Sequence, residues 1–162
     1  MRVTVNLKRL ENKHIRLQGE IPFEELDLEG VDELVHLHQP LVYNFEVQKS
    51  AGNLLLHGDL KIILRCECAR CLKPHDQGLA LDPWVCHVPL EGEEAAPVIN
   101  DCVDLTPYIR EDIVLAFPQH PLCSADCQGP EELRRAHAAG TDGDGSAGSS
   151  GSPWSELDKL QF

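Results

Sequence analysis

Two close cysteine pairs, far apart in the chain, constrain this sequence more than any other feature. Cys66-Glu67-Cys68-Ala69-Arg70-Cys71 ends a strand-like run, and Cys123-Ser124-Ala125-Asp126-Cys127 answers it much later. A tetrahedral zinc takes four soft ligands, and a pair spaced CxxC or CxxxC supplies two of them from one tight turn. One ion held by Cys68, Cys71, Cys123 and Cys127 would staple the early half of the chain to its late half. The alternative is two unconnected thiol pairs, one part of the core and one in a loop. His120, His75 and Cys66 are substitute ligands should one thiol lie out of reach.

The seven cysteines need a compartment before they can be interpreted. Met1-Arg2-Val3-Thr4-Val5-Asn6 alternates like a strand and lacks the apolar block of a secretory signal. No apolar stretch approaches the length that spans a bilayer. The expected setting is therefore a reducing cytoplasm, where cysteines are free thiols or metal ligands rather than disulfides. Cys86 and Cys102 stand singly in apolar surroundings and read as small buried hydrophobes. Net charge is −13 over 162 residues, which disfavours general binding to a phosphate backbone. Basic residues nevertheless gather at Arg2, Lys8, Arg9, Lys13 and Arg16, and again at Arg65, Arg70 and Lys73 around the first cysteines. The second group is a candidate for a limited RNA contact, and the first reads more simply as a solvated strand face.

The middle of the chain predicts a β-hairpin. Leu41, Tyr43, Phe45 and Val47 alternate with more polar residues, and Ser50-Ala51-Gly52-Asn53 supplies the turn. The return strand sets Leu54, Leu56, Leu60, Ile62 and Leu64 on one face, with Gly58 among them marking a bulge or a close backbone approach. By the same parity Cys66 and Cys68 continue the apolar face. Two weaker strands open the chain at residues 3–7 and 15–17. Another covers 79–88, interrupted by Pro83, which suggests an edge or a bulge. A helix is predicted from Thr106 as N-cap and Pro107 as first residue, burying Leu105, Ile109, Ile113 and Phe117 and stopping at Pro118. Residues 128–139 suit a short charged helix. The fold class expected is α+β: a largely antiparallel sheet, open or barrel-like, with the helix after Thr106 packed on it and a short C-terminal helical segment.

Three domain segments follow. Residues 1–139 form the α+β domain, 140–152 a flexible Gly/Ser/Asp linker, and 153–162 an amphipathic docking segment with Trp154, Leu157, Leu160 and Phe162 at helical spacing. A lone amphipathic turn is unstable in water, so it must dock on this domain or on a partner. Catalytic constellations are absent from the sequence. There is no glycine-rich phosphate loop and no serine nucleophile elbow. A thioredoxin-type pair at Cys68 and Cys71 is the rival chemistry, but such a thiol belongs at a helix N-terminus within a βαβ unit. Here the pair follows a hairpin.

Cys68-Ala69-Arg70-Cys71-Leu72-Lys73-Pro74, placed after that hairpin, resembles the CxRC segment of the YceD family, bacterial proteins named for large-subunit ribosomal RNA accumulation, with plastid relatives. Asp104-Leu105 and the run from Arg110 to Ala116-Phe117-Pro118 are similar to its second hallmark. Pro121-Leu122-Cys123 with Cys127-Gln128-Gly129 resembles its cysteine loop, and Ser152-Pro153-Trp154 through Leu160 its closing element. Members with further cysteines after the glycine differ from this chain, which has Pro130 there. The resemblance implies a role in 23S rRNA accumulation or processing and in assembly of the large ribosomal subunit, and the absence of any catalytic constellation makes the expected role non-enzymatic. Within that role the acidic balance favours a basic ribosomal protein or an rRNA-processing factor as partner. Arg65, Arg70 and Lys73 leave room for contact with a 23S rRNA precursor, and no membrane or small-molecule substrate is expected. A thiol redox protein and a direct RNA binder are the alternatives.

Overall fold

In the computed structural model the described residues are 2–11, 13–28 and 30–139. In chain order they form β1 (Thr4–Asn6), a 3-10 turn (Leu7–Leu10), β2 (Ile15–Ile21), α1 (Phe23–Leu26) and β3 (Val35–Leu37). The hairpin strands β4 (Leu41–Ser50) and β5 (Asn53–Glu67) follow, then β6 (Pro74–Pro89), β7 (Val98–Ile99), β8 (Cys102–Asp104), α2 (Thr106–Leu115) and α3 (Glu131–Ala139). Residues Met1–Cys127 make one compact unit. The predicted linker 140–152 and closing segment 153–162 lie outside the described residues.

The hairpin organises everything else. Ala51 and Gly52 both have positive φ, 46° and 80°, so the two-residue connection twists in the sense that suits right-twisted strands. That turn fixes the register from Ser50 opposite Asn53 to Val42 opposite Lys61. β5 is long enough to serve as the spine. β6 pairs along one of its edges, from Asn53 opposite Pro89 to Glu67 opposite Pro74. β4 takes the other edge as far as Lys61, and β3 continues that edge with Val35 opposite Cys66. β2 adds outside β4, and every pairing is antiparallel. The resulting sheet curls into a half-barrel, as an α+β reading of the sequence expects. β1, β8 and β7 form a second, smaller antiparallel sheet.

Period-two patterning holds along the whole spine. Leu54, Leu56, Leu60, Ile62, Leu64 and Cys66 are buried, and Cys68 continues the series into the next turn. Opposite the bulge, Gly58 pairs with Trp84 and Leu60 with Leu81. Asp82 and Pro83 thus share the space facing Asp59 alone, and the proline sits where β6 needs no ladder donor.

α2 covers the core with Leu105, Ile109 and Ile113, all fully buried, while Phe117 is half-buried against the same cluster. Its N-terminus differs from the sequence expectation. Thr106 is the first helical residue rather than the cap, and the Asp104 carboxylate accepts its backbone N–H at 2.9 Å. The Thr106 hydroxyl instead accepts the Val3 N–H at 3.0 Å. A buried N–H beside β1 had no ladder partner, and the threonine oxygen satisfies it while a carboxylate serves the helix end. Trp84 also ties the helix to β6, donating from Nε1 to Asp112 at 2.7 Å. By itself, α3 shows Glu131 and Glu132 in its first turn and an Arg135–Glu131 ion pair one turn apart at 2.9 Å.

Candidate metal centre

The centre begins where β5 ends. After Glu67 the chain turns back through residues 68–73 to start β6, and the turn is closed by its own backbone. Cys68 N–H donates to Lys73 O at 3.0 Å, and Leu72 N–H donates to Cys68 O at 2.8 Å. Leu72 takes a left-handed conformation (φ 59°), which reverses the chain within the span the two cysteines need. Cys68 and Cys71 thereby point to one side of the same turn.

The second pair arrives from beyond α2. Ala69 N–H donates to the carbonyl of buried Pro121 at 2.8 Å, holding the late segment against the early turn. A tight turn between Ser124 and Cys127, with the Cys127 N–H donating to Ser124 O at 3.1 Å, brings the last two thiols together. Arg70 completes the arrangement by donating from its guanidinium to the Cys127 carbonyl at 2.6 Å.

All four sulfurs lie within 4.8 Å of one another. Cys68 and Cys127 are 3.7 Å apart, and Cys71 and Cys123 are 3.6 Å apart. A tetrahedron of thiolates about 2.3 Å from a central ion has edges of about 3.8 Å, so the donor set fits a zinc-sized ion. Disulfides would need sulfurs about 2.05 Å apart, and all seven cysteines of the chain are free thiols. The cluster has a buried side and an open side. Cys68 and Cys127 are buried, Cys71 is half-buried and Cys123 is exposed. Backbone N–H groups, first that of Cys123 and then those of Cys71 and Arg70, bring the Cys68 thiol down to about 5. The side-chain hydrogen bond with Cys71 is the main cause that pushes the Cys123 thiol up to about 12.

The four cysteines that the spacing singled out are the four brought together, and none of the substitute donors joins them among the described residues. Cys66 is fully buried in the core, where desolvation raises its thiol pKa. His75 stands opposite Cys66 in the register, with both ring nitrogens enclosed and no hydrogen-bond partner among the described residues. His120 is exposed. Cys86 is half-buried and its thiol is pushed up to about 12, chiefly by desolvation and then by Asp112. The basic group fares differently. Arg65 is engaged by Asp76 at 2.9 Å, and Arg70 by Cys127, while the Lys73 ammonium has no ion-pair partner among the described residues. Sequence reasoning missed Arg70 as a pin of the site; its place between the paired cysteines was the available signal.

None of the helices among the described residues is long and apolar enough to cross a membrane. No curated protein and no solved structure matches the chain. A family model described as large ribosomal RNA subunit accumulation protein YceD matches residues 56–161, which takes in most of β5, the four cysteines and the helix between them. With the match extending over well more than half of the sequence and enclosing the whole thiol cluster, the chain belongs to the YceD family.

Proposed function

We propose that this protein is a non-enzymatic factor in the accumulation or processing of 23S rRNA, and so in biogenesis of the large ribosomal subunit, with one structural zinc in its four-cysteine centre. The family match over residues 56–161 carries this reading. Zinc is the metal best suited to four thiolates with no open position: it holds structure and leaves no coordination site for chemistry. The working compartment is a reducing bacterial cytoplasm, where these thiols persist.

The charge balance favours a protein as the main partner. A net charge of −13 repels an RNA backbone at long range and attracts a basic ribosomal protein or an rRNA-processing factor. Arg65, Arg70 and Lys73 remain the proposed site of a limited contact with a 23S rRNA precursor. Lys73 contributes most to that contact, because the two arginines already have internal partners. Recovering the tagged protein from cells, with bound RNA and protein both identified, tests the whole. Pre-50S components are expected in the recovered material, and deletion of the protein is expected to lower the ratio of large to small subunits. Neither 23S species nor large-subunit proteins in the recovered fraction, together with an unchanged ratio, would remove the ribosomal reading.

Arg70 gives a sharper local prediction. It bridges the two cysteine turns from outside the ligand set, as groups that orient ligands do. Removing such a group typically weakens metal affinity about 10–100-fold. Arg70→Ala is expected to lose zinc to a competing chelator faster by that order while melting near the parent temperature. Unchanged zinc retention would reduce Arg70 to a surface contact.

A further inference from the structure

We propose that Cys71 and Cys123 form a peroxide-sensitive pair, whose oxidation to a disulfide releases the metal while leaving the two cysteine turns tied together. This rests on the zinc reading above. Three observations carry it. The cluster is split between a buried pair, Cys68 and Cys127, and an outer pair, Cys71 and Cys123. Each outer thiol comes from a different turn, and their sulfurs are only 3.6 Å apart. Finally, segment 118–127 has no regular secondary structure, and with its tight turn between Ser124 and Cys127 it can yield the short distance a disulfide requires.

Access and reach set the order of events. Cys123 is the exposed thiol, so a peroxide reaches its sulfur first. Deprotonated as a ligand of the zinc proposed above, the Cys123 sulfur attacks one peroxide oxygen, the O–O bond breaks, and the departing oxygen leaves as water after taking a proton. Cys123 is then a sulfenic acid. The Cys71 sulfur attacks it, the S–S bond forms, and the sulfenic oxygen leaves as a second water. Two electrons pass from the sulfurs to the peroxide, whose two oxygens both end as water. Only Cys68 and Cys127 then remain as thiolate ligands, too few for a structural site. The covalent bond between residues 71 and 123 takes over the staple that the metal provided. Reduction by a dithiol restores all four ligands, so the change is reversible.

The other thiols do not compete. Cys66 is fully buried, Cys86 is half-buried against the core, and Cys102 is half-buried where its sulfur accepts from Asn6 at 3.5 Å.

The test treats the metal-loaded full chain with hydrogen peroxide. Zinc release is followed with a colorimetric chelator, and disulfides are mapped by alkylation and mass spectrometry. The expected result is about one zinc released per chain, in step with a Cys71–Cys123 disulfide, both reversed by dithiothreitol and added zinc. In Cys71→Ser a dimedone-type probe should trap a sulfenic acid at Cys123. A Cys68–Cys127 bridge forming first, zinc loss with Cys71 and Cys123 both still alkylatable, or a sulfenic acid trapped elsewhere would each overturn the proposal. A chain that carries no metal before treatment overturns the zinc reading and the release with it. The disulfide map then judges the pairing on its own.

Discussion

Alanine at position 58 is expected to destabilise the domain by about 3 kcal/mol or more, although it adds a single methyl group. Gly58 lies between two aromatic residues in the ladder, opposite Phe45 on one side and Trp84 on the other. The rings of Phe45 and Trp84 meet edge to face with centroids 5.1 Å apart, across the row that the glycine leaves low. A Cβ built there would collide with the carbonyl oxygen of Asn44 and the Cα of Phe45. Those are backbone atoms of the neighbouring strand and cannot rotate away. Relief requires β4 to move off β5, which strains the pairing at the centre of the half-barrel.

Gly78 supplies the control within the same sheet. It is exposed on β6, and a Cβ at that position meets nothing within 4 Å. Gly78→Ala is expected to change stability little, or to raise it slightly by lowering the freedom of the unfolded chain. Urea unfolding of the two variants beside the parent decides the matter. Similar midpoints for both substitutions would show that the close approach at Gly58 does not hold.

Much of the half-barrel was legible because its spine obeys one local rule. A period of two from Leu54 to Cys68 gave the buried face, the turn at Ala51 and Gly52, and the anomaly at Gly58. Strand parity is a property of neighbouring residues, and so a sequence displays it directly. The four cysteines were legible for a related reason, since each pair is set by a turn of a few residues. Pairing at a distance was not. Nothing local announces that β3 and β4 share one edge of β5, or that the Pro121 carbonyl meets the Ala69 N–H. Charged and polar side chains were the least readable. Thr106 looked like a helix cap, yet its hydroxyl serves Val3, because the unmet donor lies in a strand more than a hundred residues away. Arg65 and Arg70 looked like free cations for RNA, but partners brought in by folding occupy them. The formal charge of a side chain is written in the sequence; what neutralises it is decided by the fold.

Serine in place of Cys68 is expected to abolish stoichiometric zinc and to lower the melting temperature by about 10 °C or more. A ligand present at about a thousand times its dissociation constant stabilises the folded state by about 4 kcal/mol. For a domain of this size each kcal/mol corresponds to about 2–4 °C. Cys68 is the most deeply buried of the four thiols and sits at the root of the turn. A serine oxygen there remains protonated and cannot complete a four-thiolate shell. The damage should be graded through the structure. The hairpin keeps its own buried face of Leu54, Leu56, Leu60, Ile62 and Leu64, so amide exchange in β4 and β5 should stay slow. The Ala69 N–H, whose partner Pro121 belongs to the other cysteine segment, should exchange much faster. Cys66→Ser separates metal loss from simple core damage, since Cys66 is equally buried two residues earlier but lies outside the cluster. That variant should lose about 1–3 kcal/mol for burying a hydroxyl and retain its zinc. Equal zinc content in the two variants, or a Cys68→Ser protein that melts with the parent, would show that the thiol cluster holds no structural metal.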